Sequence, residues 1–81
     1  MVFKTFGTCS REINFDVVDG KLTNVSFLGG CNGNLQGIGK LVEGMDIDEV
    51  IARVEGIKCG ARQTSCPDQL AQALKQYKAE N

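Results

Sequence analysis

Apolar and polar residues alternate through the first third of the chain and then recur every three or four positions. Between Arg11 and Val18, Ile13, Phe15 and Val17 fall on one face and Glu12, Asn14 and Asp16 on the other, the period of a half-buried strand. Asp19-Gly20 is a turn signal, and Lys21 to Leu28 reads as the returning strand, with Thr23, Val25 and Phe27 on one face. Val2 to Phe6 is a short strand candidate, followed by a turn at Gly7-Thr8-Cys9-Ser10.

The hairpin register can be argued from the pattern. A plain two-residue loop at Asp19-Gly20 sets Ile13 opposite Ser26, apolar against polar. A three-residue loop or a bulge restores the match, with Ile13 beside Phe27 and Phe15 beside Val25. Continued outward, that register brings Cys9 next to Cys31 at the open end of the hairpin.

Helical spacing takes over from Gly33. Leu35, Ile38, Leu41 and Val42 form an apolar stripe, weakened by Gly37 and Gly39 and stopped at Gly44. Asp46-Ile47-Asp48-Glu49 reads as a capping-box start. Ile47, Val50, Ile51 and Val54 line the face that follows, and Gly56 ends the helix. Ser65-Cys66-Pro67-Asp68 predicts a third helix, with serine at the cap, proline in the first turn and aspartate three after the cap. Leu70, Ala73, Leu74 and Tyr77 are its buried stripe. The sum is an α+β fold of two layers: an antiparallel sheet of two to three strands, a hairpin meander, followed by three helices on one face.

Composition narrows the picture. The 81 residues suit one domain spanning 1–81, and a core of that size often gains from a metal or a partner. Nine basic against ten acidic residues leave a net charge of −1, so no nucleic-acid or anionic-membrane partner is expected. No apolar run is long enough to span a bilayer, and Met1 to Gly7 lacks the pattern of a secretory signal. A cytoplasmic location, where thiols stay reduced, is the expectation.

Four cysteines, Cys9, Cys31, Cys59 and Cys66, and no histidine then stand out. In a reduced compartment such a set points to metal binding or redox work rather than a disulfide framework. The hairpin pairs Cys9 with Cys31. The short glycine-containing loop after the second helix returns Cys59 toward Cys66, which sits in the first turn of a helix, where the dipole favours a thiolate. Four sulfurs suit zinc or an iron–sulfur cluster and exclude calcium and magnesium. Four thiolates on a divalent ion leave a charge of about −2, and Lys4, Arg11, Lys58 and Arg62 lie close in sequence to offset it. The long, uneven spacing is not that of a ribbon or finger. Gly29-Gly30-Cys31-Asn32-Gly33-Asn34 lacks the lysine and hydroxyl of a P-loop and reads as a tight turn around a ligand cysteine.

Thr64-Ser65-Cys66-Pro67-Asp68 spells the signature of the TSCPD domain family. Gly-Thr-Cys-Ser at 7–10, Gly-Gly-Cys-Asn-Gly-Asn-Leu at 29–35, Leu-Val-Glu-Gly at 41–44 and Gly-Ile-Lys-Cys-Gly at 56–60 agree with it. The chain resembles the stand-alone, four-cysteine branch of that family over nearly its whole length. Larger relatives carry the domain at the C-terminus of ribonucleotide reductases, mainly the cobalamin-dependent kind. The resemblance therefore implies a supporting role beside such an enzyme, not the reductase reaction itself, which needs a large barrel, a radical cysteine and nucleotide sites. A second resemblance, to iron–sulfur cluster scaffolds of the U type, rests on the positions of Cys9, Cys31 and Cys66. The chain departs from those by adding Cys59 and by lacking both a histidine beside the last cysteine and a Pro-Pro segment.

Three functions follow as expectations. The first is an accessory module holding zinc or an iron–sulfur cluster on all four cysteines. The second is a thiol–disulfide carrier for a reductase, with Cys66 as nucleophile and Cys59 as resolving partner. The third is a protein-interaction module whose cysteines are structural. A short first strand at a sheet edge also leaves a homodimer by edge pairing open.

Overall fold

A computed structural model describes residues 2–5, 10–29 and 32–80 of the chain. It contains three strands, β1 (Val2–Lys4), β2 (Ser10–Val18) and β3 (Lys21–Gly29), then three helices, α1 (Asn32–Val42), α2 (Ile47–Val54) and α3 (Cys66–Glu80). The strands form one antiparallel sheet in the order β1-β2-β3. This is the expected α+β arrangement.

Ile13 pairs with Phe27 as the pattern requires, by a route that combines two devices. Asp19 and Gly20 make a two-residue turn with φ of 52° and 76°, so Val18, Val17 and Asp16 face Lys21, Leu22 and Thr23. The register then slips between Asn14 and Asp16, where Phe15 faces the extra residue of a bulge at Asn24 and Val25. Asn24 has φ of 56°, a left-handed conformation that asparagine tolerates better than most residues. Its side chain donates to Asp16 at 3.2 Å and its N–H donates to the Glu43 carboxylate at 3.0 Å.

The bulge corrects one expectation. Simple alternation put Thr23, Val25 and Phe27 inward and Leu22 outward. One inserted residue changes the phase, so Leu22 is fully buried while Val25 and Phe27 still pack against the core.

Beyond β3 the chain folds back. The buried Gly39 of α1 lies so close to β3 that a Cβ there would come within 3.0 Å of the Val25 carbonyl oxygen. This glycine makes the helix–strand approach rather than weakening the helix. Leu41, expected on the buried stripe, is 80 % exposed; Leu35 and Val42 carry the burial and Ile38 packs against it. The connection after α1 then covers the free edge of β3: Gly44 N–H donates to Leu22 O and Leu22 N–H to Met45 O. Asp46 precedes α2 with extended backbone but makes no side-chain cap bond. Its carboxylate faces Lys21 instead, at 3.4 Å, so the predicted capping box is not formed there.

Helix α2 starts against the hairpin turn, where Ile47 N–H donates to Gly20 O at 3.0 Å. Over eight residues it carries the chain about 12 Å onward. Helix α3 returns antiparallel, with Lys78 bonded to Asp48 and Lys75 to Glu55. Its face of Leu70, Ala73 and Leu74 joins Ile13, Phe15, Leu22, Val42, Ile47 and Val50 in the core. Tyr77 meets Phe15 edge to face, with ring centroids 6.4 Å apart, a geometry favoured by the ring quadrupoles. All the helices thus cover one face of the sheet, while Glu12, Asn14, Asp16 and Ser26 lie on the other.

Candidate functional site

The path of the chain decides where the cysteines go. Helix α1 runs from the open end of the hairpin to its closed end at Leu22, and α2 begins at the turn itself. The start of α3, at the far end of α2, is therefore separated from the hairpin turn. The open end of the sheet also lies away from that turn. Its last described rung is Ser10 with Gly29, reached through a second register slip between Glu12 and Ser10 that departs by one residue from the outward continuation expected from Ile13 and Phe27, and Thr5 N–H donates to Arg11 O beside it at 3.1 Å. Cys9, next to Ser10 in sequence, and Cys31, two residues past Gly29, lie outside the described residues, and so does their predicted pairing.

Cys59 and Cys66 are described. The loop joining α2 to α3 closes on itself at Cys59: its N–H donates to Thr64 O at 3.2 Å, and Arg62 N–H donates back to Cys59 O at 3.0 Å. The predicted return of Cys59 toward the start of α3 is thus present in the backbone. Cys59 is an exposed free thiol, flanked in the loop by the exposed Lys58 and Arg62. Cys66 is the first residue of α3 and only 7 % exposed. The two differ in access, so a reagent from solvent meets Cys59 first. Among the described residues no group of three or more histidine, cysteine or acidic side chains converges as a metal cage.

The residues around Cys66 form a hydrogen-bonded clamp. Ser65 Oγ accepts from Asp68 N–H at 3.2 Å, the N-cap bond expected from sequence. The same hydroxyl donates to Ile57 O at 2.6 Å. The Asp68 carboxylate does not serve the helix start in the manner of a capping box. It accepts from Gly56 N–H at 2.7 Å and from the Thr64 hydroxyl. Gln69 Nε2 donates to Thr64 Oγ1 at 3.0 Å. Ser65, Asp68 and Gln69 are all buried polar residues, and no buried side-chain polar atom among the described residues lacks a partner.

Burial by itself raises the Asp68 carboxyl. Hydrogen bonds from Thr64, Gly56 and the Gln72 side chain, with the Lys75 ammonium nearby, outweigh it and hold the group below the ordinary carboxylate range. The clamp accordingly carries a carboxylate at neutral pH. The sequence pattern marks Ser65 as the cap and Asp68 as a capping residue too. Thr64, Gly56 and Gln69 carry no such mark; the one signal for them is the placing of Thr64 and Asp68 four residues apart across a helix start.

Four other acids are engaged elsewhere. Asp46 faces Lys21, Glu49 faces Arg53, Asp48 faces Lys78 and Glu55 faces Lys75.

A small antiparallel sheet, a cover of three helices and a last helix opened by a Thr-Ser-Cys-Pro-Asp clamp define the class of protein. A family model for the TSCPD domain matches residues 1–78, and the chain belongs to that family. No curated protein and no solved structure matches it.

Proposed function

We propose that this chain is an accessory metal-binding module, with Cys9, Cys31, Cys59 and Cys66 as ligands for zinc or an iron–sulfur cluster. The observation that carries the reading is the closed loop that returns Cys59 to the residue pair preceding Cys66. At the open end of the sheet the last described rung, Ser10 with Gly29, lies one residue from Cys9 and two from Cys31 in sequence, one step off the register from which their pairing was expected. Zinc would cross-link the strands to the last helix, and a cluster would add one-electron transfer. Structural zinc contributes about 10–16 kcal/mol in small peptides, ample for a domain of this size. Metal analysis of protein purified without oxygen tests the reading. Metal that is lost in Cys59→Ser and in Cys66→Ser supports it; negligible metal, with folding indifferent to chelator, defeats it.

A second reading is favoured by the exposure of Cys59: a dithiol carrier serving a ribonucleotide reductase, the partner that the family resemblance implies. The Cys59 and Cys66 thiols would be oxidised to a disulfide while a disulfide of the reductase is reduced to two thiols, two electrons and two protons passing across. Its place in the first turn of α3 favours Cys66 as the nucleophile, whereas access favours Cys59 as the thiol that meets the partner. Thiol titration at neutral pH separates this reading from the first. Four slow, ordinary thiols would end it.

A further inference from the structure

We propose that the Thr64–Ser65–Asp68 clamp is the positioning device of the cysteine site, holding the Cys59 turn against the first turn of α3 so that Cys59 and Cys66 are presented as a pair. The inference rests on the reading of these cysteines as a metal site. Every residue from Glu55 to Gln63 is exposed, so burial of apolar side chains does not anchor this loop. What fixes it is polar. Asp68 grips its entry at Gly56, Ser65 grips the Ile57 carbonyl, and Thr64 receives the Cys59 N–H on its backbone oxygen. All three anchors belong to the start of α3, which the fully buried Leu70 and Leu74 hold in the core.

A helix cap alone would not need this arrangement. The bond from Asp68 N–H to Ser65 Oγ caps α3 by itself, and a capping-box acid would turn back to the N-cap N–H. The Asp68 carboxylate turns instead to the loop at Gly56 and to the hydroxyl of Thr64, the residue that holds Cys59. Two of the signature residues around the cysteine thus act on the thiol loop rather than on the helix. Thr64 and Asp68 are positioning residues, acting through the backbone that carries Cys59.

The test compares Thr64→Val, which deletes the hydroxyl, with Thr64→Ser, which keeps it. Zinc affinity is read by chelator competition, and hydrogen exchange of the Cys59 amide is read in the metal-free protein, with the Leu74 amide as internal reference. Supporting contacts behind metal ligands typically change affinity by 10–100-fold. Thr64→Val should weaken zinc by roughly that factor and speed Cys59 exchange by about tenfold or more, with Leu74 unchanged. Thr64→Ser should stay within about threefold of wild type. The proposal is overturned if Thr64→Val keeps wild-type zinc affinity or wild-type Cys59 exchange. It is equally overturned if Cys59 and Leu74 accelerate together, the signature of general destabilisation. Should the wild type take up no zinc, the metal reading fails, and the exchange comparison decides the clamp by the same criterion.

Discussion

Replacing Asp68 by alanine removes the acceptor shared by the Gly56 N–H and the Thr64 hydroxyl. Hydrogen bonds to a charged group contribute about 1.5–3 kcal/mol each. Gly56 is exposed and regains water, whereas Thr64 is half-buried and retains its contact with Gln69. The net cost is set at about 3 kcal/mol, a large share of the 5–15 kcal/mol typical of a domain. In a domain of this length that lowers the melting temperature by roughly 12 °C or more. Asp68→Asn keeps one carbonyl acceptor and should cost about half as much. The pH dependence carries a second signature. The folded carboxyl lies below its ordinary value, so its contribution is complete above the unfolded pKa of about 3.9 and is lost as the pH falls through the lower folded value. Urea unfolding of wild type and Asp68→Asn should therefore show a gap that is full at pH 7 and narrows below about pH 4. A gap of constant size from pH 7 to pH 3, or an alanine variant as stable as wild type, would show that the Asp68 carboxylate does not hold the loop.

Two other predictions address the seams that position the site. Gly37→Ala meets open space and should gain up to about 1 kcal/mol from helix propensity. Gly39→Ala gains the same but drives a Cβ to within 3.0 Å of the Val25 carbonyl oxygen, and overpacking of that kind costs about 1–3 kcal/mol. The pair should differ by about 2 kcal/mol in urea midpoints, and equal stabilisation would show that β3 yields freely. Asn24→Val at the bulge should cost about 1–3 kcal/mol, since a β-branched residue resists φ of 56°; Asn24→Gly should fall nearer wild type in thermal melts.

The parts of the fold legible in the sequence were those governed by one local rule. Alternation gave β2, and the serine cap, the proline and the stripe of Leu70, Ala73 and Leu74 gave α3. Where two rules compete, the pattern misleads. The alternation of β3 was read through the bulge at Asn24 as though the strand were regular, which turned Leu22 to the wrong face. Leu41 matched a helical stripe by spacing, but α1 packs on β3 along Leu35, Gly39 and Val42, and the close approach at Gly39 leaves Leu41 to solvent. Asp46 had the sequence of a cap, but Lys21 on a neighbouring strand takes its carboxylate. For the candidate site, the closing of the Cys59 loop on the start of α3 followed from loop length alone. The grip of Asp68 on Gly56 and Thr64 did not, because it depends on where α2 ends in space.

Metal content after oxygen-free purification decides whether the four sulfurs make one metal site. The expected result is about one equivalent of zinc in a colourless protein, or iron with acid-labile sulfide in a brown one, falling sharply when any of Cys9, Cys31, Cys59 or Cys66 becomes serine. A metal-free wild type that folds fully in the presence of chelator would contradict it.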